Sequence, residues 1–205
     1  MAKVLLINGS PHKEGCVYTA LSEVAEVLEK RGIESSIFHI GTAPVRGCVA
    51  CGRCSELGRC VFDDDVCNRM LEEMKKADGI VIGTPVYYAG PNGTLCALLD
   101  RAFFAARGKM SHKVGAAVVS CRRGGASASF DRINKYFTIN SMPVVSSQYW
   151  NSVHGMTPND VRQDFEGLQT MRTLAENMAW MLLCAEKAEL PYPERETPVR
   201  TNFVR

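Results

Sequence analysis

No part of this sequence reaches the ~18 consecutive apolar residues that a membrane-spanning helix requires. The only apolar run near the start, from Val4 to Ile7, is too short for the core of a signal peptide. A cytoplasmic protein with no membrane contact is therefore expected. Charge of one sign is also missing: 24 Lys and Arg against 22 Asp and Glu leave a net +2, with the two signs interspersed. That balance excludes the basic stripe of a nucleic-acid binder. Neither a GxGxxG fingerprint nor a Walker A lysine motif occurs, so a dinucleotide Rossmann site and a P-loop NTPase are both unsupported. No Ser-His-Asp or paired-carboxylate arrangement stands out, and there is no internal repeat or low-complexity tract. What remains is ordinary globular material: 205 residues, 46% apolar and 22% charged. This is enough for one domain with a modest extension, burying its core without staples.

Cysteine is the exception to this plainness. The chain has nine, and four of them, Cys48, Cys51, Cys54 and Cys60, crowd into the glycine-bearing segment 47–62. In a reducing compartment such a cluster reads as metal-binding or redox-active rather than as a disulfide framework. Three thiolates at two-residue intervals on an irregular loop can wrap a small cubane cluster, with Cys60 as the fourth ligand. Structural zinc more often uses two separated pairs, so the spacing leans toward iron. Gly47, Gly52 and Gly58 give the backbone the freedom that a wrap needs. Bare thiols in a loop are the alternative. Of the scattered cysteines (Cys16, Cys67, Cys96, Cys121 and Cys184), Cys96 and Cys184 lie on apolar helix faces and are expected to be small buried side chains.

Five short apolar runs predict strands over residues 3–8, 33–40, 79–84, 114–120 and 143–149. The first, third and fourth are nearly continuous in Val, Ile, Leu and Ala, as a strand covered on both faces requires. Between them lie helical stripes. Leu21, Val24, Ala25 and Leu28 form one, with Gly32 behind it as a C-cap; Val66, Met70, Leu71 and Met74 form another behind three aspartates. Further stripes run through Leu95–Phe103, Phe130–Phe137 and Phe165–Leu182. Five alternations of strand and helix predict an α/β doubly wound parallel sheet with helices on both faces. One domain should span residues 1–190. The proline- and charge-bearing tail, 191–205, is expected to be an extended arm or disordered, with packing on a partner subunit as the alternative.

Ligands in such sheets sit beyond the carboxyl ends of the strands, and three loops there carry suggestive chemistry. After the first strand come Gly9, Ser10, Pro11, His12, Gly15, Cys16, Val17 and Tyr18. At that junction free backbone N–H groups and a helix dipole converge, which favours a phosphate; an ordinary βα turn with incidental polar residues fits the same stretch equally well. The loop after the third strand, with Pro85, Val86, Tyr87, Tyr88 and Gly90, offers an aromatic, partly rigid surface. The one after the fourth strand, with Ser120, Arg122, Arg123, Gly124 and Gly125, brings two cations. Tyr149, Trp150 and His154 follow the last predicted strand, either over a ligand or packed in the core or an interface.

The run Gly9-Ser10-Pro11-His12, together with Gly83-Thr84-Pro85-Val86-Tyr87, resembles the NADPH-dependent FMN reductase and iron–sulfur flavoprotein families. The resemblance covers roughly residues 1–188. It implies a flavodoxin-like fold with five parallel strands in the order 2-1-3-4-5. It implies that the first loop holds the phosphate of FMN and that the second borders the isoalloxazine ring. Cys16 and Val17 depart from the Asn or Ser followed by Thr that is usual there, so backbone amides must carry more of the phosphate binding, with Tyr18 and Thr19 as available side chains. An arginine of the pair Arg122 and Arg123 near the ring would stabilise the anionic reduced flavin. The cysteine spacing resembles the compact motif of iron–sulfur flavoproteins, which implies a [4Fe–4S] cluster at Cys48, Cys51, Cys54 and Cys60. The implied activity is NAD(P)H oxidation through FMN to a small-molecule or protein acceptor, in a homodimer or homotetramer. Two other readings stand beside it: an iron–sulfur flavoprotein that carries electrons between protein partners, and a flavin-free scaffold holding structural zinc.

Overall fold

A computed structural model describes residues 1–194 together with Glu196, Thr197, Val199 and Thr201. Its elements run β1 Lys3–Asn8, α1 Cys16–Lys30, β2 Glu34–His39, α2 Cys54–Leu57, α3 Cys67–Lys76, β3 Gly79–Tyr87, β4 Gly90–Pro91, α4 Gly93–Ala106, β5 Val114–Cys121, α5 Ala126–Ile139, β6 Ser152–His154, α6 Pro158–Gln163 and α7 Phe165–Ala188. Strands pair in the order β2-β1-β3-β5-β6, all in parallel, while the two-residue β4 folds back antiparallel on β3. With that short hairpin strand set aside, the order is 2-1-3-4-5, as the resemblance implied.

The two-residue period of a strand divides its side chains between two cores. Leu5 and Ile7 of β1, with Ile80 and Ile82 of β3, face α3, α4 and α5. Val4, Leu6 and Val81 face α1 and α7. Burial on both sides explains why β1 and β5 read as almost unbroken apolar runs. Close approach also fixes some glycines. A Cβ at Gly115 would stand 2.6 Å from the Phe137 ring, and one at Gly83 2.7 Å from Val17.

The last strand departs from expectation. Residues 143–149 make a single parallel bridge, Gly115 with Val144, and then loop out. Pairing resumes at Ser152–His154, where Asn151 ties the edge down: its carbonyl accepts from Val119 N–H, and its Nδ2 donates to the Ala117 carbonyl. The apolar pair Val144 and Val145 is real sheet edge, but Ser146, Ser147 and Gln148 have nothing on the sheet to bury against. Cys184 also departs, being exposed on α7, and Cys96 is only partly covered; it is Cys67 that is fully buried. Of the tail, residues 191–194 lie exposed without regular structure, and the Tyr192 ring stacks on His112 at 4.8 Å. The expectation for the tail falls in part outside the described residues. No helix among the described residues is long and apolar enough to cross a membrane.

Candidate functional site

Four loops meet at the carboxyl ends of the strands, and buried asparagines hold them there. Asn8, at the end of β1 and fully buried, accepts from Ser10 N–H at 3.0 Å and donates to the Lys13 carbonyl at 3.0 Å. This turns residues 9–15 back over the strand end. The Ser10 hydroxyl, 4% exposed, accepts from His12 N–H at 3.1 Å and keeps its own proton to donate. Ser10's carbonyl accepts from His39 Nε2 at 2.9 Å, and Gly9 N–H donates to the Gly83 carbonyl. A Cβ at Gly9 would meet that same carbonyl at 2.7 Å.

Helix α1 then starts at Gly15 with no side-chain cap and no acid in its first turn. Helical geometry leaves the first N–H groups, at Cys16, Val17 and Tyr18, without intrahelical acceptors. Together with the positive end of the dipole, they form an anion-seeking surface beside Ser10 and the exposed His12. Val17 offers only its amide here, because its side chain is buried in the core under Gly83. Tyr18 lines a groove between α1 and β2 with Lys13, Ser36 and His39. Burial pushes the Cys16 thiol up, with a hydrogen bond from Ser120 partly opposing the effect. A neutral thiol there adds no negative charge to the start of α1.

The second loop is a tight hairpin. Val86 pairs with Pro91 and Tyr87 with Gly90, and the two turn residues, Tyr88 and Ala89, both take positive φ, 51° and 59°. That is the backbone of a two-residue I′ turn, normally filled by Asn and Gly. Tyr88 projects wholly into solvent, with Tyr87 half-exposed beneath it. Asn92 closes the hairpin and caps α4 by accepting from Thr94 N–H at 2.9 Å. Its Nδ2 crosses to the Gly9 carbonyl at 2.8 Å, locking the first loop to the second. Thr84, fully buried, accepts from Asn92 N–H.

Third comes the segment after β5. Gly125 sits at φ 95°, and a Cβ on it would stand 2.7 Å from Ala89 Cα, so this loop rests directly on the hairpin. α5 begins there without a side-chain cap or an acid in its first turn. Arg122, Arg123 and Gly124 are exposed beside it, and Ser120 is buried. From β6, Gly155 N–H donates to the Cys121 carbonyl, and the Gly155 carbonyl lies 4.0 Å from Cys16 Sγ. Tyr149 and Trp150, both more than half exposed, stand with ring centroids 5.0 Å apart; Trp150 is not a core residue of this chain. His154 N–H donates to Asp164.

The predicted loops are thus brought together. The residues that hold them, Asn8, Asn92, Asn151 and His39, were not singled out in the sequence. An Asn before Gly-Ser-Pro and an Asn before Gly-Thr are turn and cap signals, but their partners across the fold are not visible locally.

The cysteine segment lies between β2 and α3 and has little regular structure beyond α2. Ala50, Gly52 and Gly58 take positive φ, which curls it. Cys48 and Cys51 are exposed, Cys54 is half-buried and Cys60 is buried. All four line one hollow, walled by Val49, Val61, Phe62 and Phe104. Burial pushes the Cys54 thiol up, and its neighbours Cys51, Cys48 and Cys60 push it the same way. No three His, Cys, Asp or Glu side chains among the described residues are grouped tightly enough for a single metal ion. A cubane offers separate corners to four thiolates, so sulfurs spread around an apolar hollow suit it better than they suit one zinc.

With this geometry in view, the likenesses to known proteins are direct. Residues 2–157 match the family described as NADPH-dependent FMN reductase. An iron–sulfur flavoprotein of Methanocaldococcus jannaschii is 34% identical over 193 residues, covering 90% of this chain and 100% of its own. Another from Methanosarcina thermophila is 33% identical over 189 residues, covering 90% and 97%. Among solved structures, a flavodoxin from the domain Archaea superposes with a TM-score of 0.59 at 14% identity, over 89% of this chain and 99% of its own. The chain belongs to the NADPH-dependent FMN reductase family, in its iron–sulfur flavoprotein branch, and its fold is flavodoxin-like. It is a flavin-dependent oxidoreductase of FMN type.

Proposed function

We propose that this protein moves electrons between a reduced nicotinamide and an acceptor through FMN and a [4Fe–4S] cluster held by its own cysteines. The observation that carries the reading is the pairing, in one chain, of an uncapped α1 N-terminus beside Ser10 with a four-thiol hollow at residues 48–60. When bound, FMN supplies the exchange between hydride and single-electron chemistry, and the cluster supplies single-electron transfer onward.

The chain's residues bind, orient and tune. Ser10, His12 and the amides of Gly15, Cys16, Val17 and Tyr18 take the phosphate. Pro85, Val86, Tyr87, Tyr88 and Gly90 border the ring, with the hairpin held in place by Asn92 and Gly125. Ser120, Gly124 and Gly125 close the other edge, where Arg122 or Arg123 and the α5 N-terminus favour negative charge. Cys48, Cys51, Cys54 and Cys60 hold the cluster. Tyr88, Tyr149 and Trp150 leave the crevice rimmed by exposed aromatics, which supports a homo-oligomer in which a second copy covers it. Thiols this numerous and accessible fit a reducing, cytoplasmic setting.

The likeness to proteins named iron–sulfur flavoproteins favours an electron carrier serving a protein acceptor over a reductase of small molecules alone. Flavin and iron content of anaerobically prepared protein tests the proposal. One FMN and a full cluster per chain are expected; bound FAD, or iron-free protein, would contradict it.

A further inference from the structure

The stripe of α4 that faces the core reads Leu98, Leu99, Ala102 and Phe103, yet it carries a charge. Arg101 is 2% exposed. Its guanidinium reaches the base of the cysteine loop. One terminal nitrogen pairs with Asp65, itself buried, and donates to the Arg46 carbonyl at 3.2 Å. The other donates to the Phe62 carbonyl at 3.2 Å. Arg46 precedes the four cysteines and Phe62 follows them, so a single side chain pins both ends of the loop. Its third nitrogen, Nε, points its N–H at Cys60 Sγ from 3.2 Å. Asn68 fixes the same cysteine from the backbone side, accepting from Cys60 N–H at 2.9 Å and donating to the Cys60 carbonyl at 3.0 Å. Cys60 is therefore held on three sides, whereas Cys48 and Cys51 are exposed.

We propose that Arg101 is a positioning and potential-setting residue for the cluster, acting through its hydrogen bond to the Cys60 sulfur; this rests on the cluster reading above. A merely structural arginine would satisfy the loop carbonyls and Asp65 and leave the sulfur alone. Hydrogen bonds to ligand sulfurs and local charge set cluster potentials. Reduction adds negative charge to the cluster and its thiolates. A buried cation donating to one of them stabilises the reduced state more than the oxidised state and raises the midpoint potential. Among the described residues, the exposed ligands Cys48 and Cys51 have no such donor from a buried side chain. Cys60 is thus the corner at which the protein, rather than solvent, sets the driving force for electron uptake.

The test uses anaerobically prepared holoprotein and its Arg101→Lys variant. Lysine keeps a positive charge for Asp65 but lacks the planar fork that reaches Sγ and the carbonyls together. In an EPR-monitored redox titration the variant is expected to need a potential lower by a tenfold shift in reduced-to-oxidised ratio, about 59 mV for a one-electron couple. FMN content should be unchanged. An intact cluster with an unmoved potential overturns the proposal. A second measurement needs no variant: wild-type protein labelled with ¹⁵N-arginine and reduced should show a ¹⁵N coupling to the cluster in pulsed EPR, and its absence equally overturns the proposal. Iron-free wild-type protein takes down the cluster reading and this proposal with it. Iron-replete protein that fails either test takes down the role of Arg101 alone.

Discussion

Replacing Ser10 by Ala tests the phosphate site at its most buried side chain. The hydroxyl accepts from His12 N–H at 3.1 Å and has its own proton to give. It stands beside a helix start with neither a cap nor an acid. A hydrogen bond to a charged group is worth about 1.5–3 kcal/mol. Its loss should therefore raise the FMN dissociation constant about 10- to 150-fold, at 1.4 kcal/mol per tenfold. Adding His12→Ala should bring the total to about 3–6 kcal/mol. The fold should survive, because the internal hydrogen bond lost is a neutral one worth about 0.5–1.5 kcal/mol and His12 is exposed to water. Fluorescence titration of flavin-free protein measures both variants, with riboflavin as the control. Riboflavin has no phosphate, so its affinity should not respond. Unchanged FMN affinity in the double variant, or equal weakening of FMN and riboflavin, would refute the assignment of this loop.

Two further outcomes follow from backbone and burial. Ala89 occupies a left-handed conformation at φ 59°, which costs an L-residue about 1–2 kcal/mol, while glycine's extra freedom in the unfolded chain costs about 0.5–1 kcal/mol. Ala89→Gly should accordingly stabilise the apoprotein by up to about 1.5 kcal/mol and raise its urea midpoint; a lowered midpoint would contradict the hairpin geometry. Burial pushes the Cys67 thiol up to about 12, so at pH 8 only about one molecule in 10⁴ carries the reactive thiolate. Iodoacetamide on native, metal-free protein should modify exposed Cys48, Cys51 and Cys184 well before Cys67, with Cys67 labelling accelerating as pH rises toward 12; early modification of Cys67 at pH 8 would count against the packing of α3 on α4.

The sheet was legible because its central strands are buried on both faces. Val4 to Ile7, Ile80 to Ile82 and the run from Val114 have no polar side to confuse the period. The edge was misplaced because only Val144 and Val145 there are apolar, whereas the true strand, Ser152–His154, is tied on by Asn151 rather than by a hydrophobic run. Loop chemistry at the strand ends could be read from Gly9-Ser10-Pro11-His12 and its counterparts, since turns and helix starts have local signatures. What fixes those loops could not. Asn92 acts on Gly9, and Arg101 on Arg46, Cys60 and Asp65, across long stretches of chain. Arg101, standing beside Asp100 between apolar turns, reads locally as an ordinary helix charge, and its partners exist only once α4 and the cysteine loop have met.

The central claim is that one chain holds both FMN and a cluster at Cys48, Cys51, Cys54 and Cys60. The most direct test is iron, sulfide and flavin analysis of protein prepared anaerobically from a cluster-competent host, side by side with Cys51→Ala. Wild type should hold about four iron and four sulfide per chain, as a cubane requires, with one FMN. The variant should lose iron and sulfide together and keep its FMN. Iron-free wild type, or a variant that retains its iron, would contradict the account.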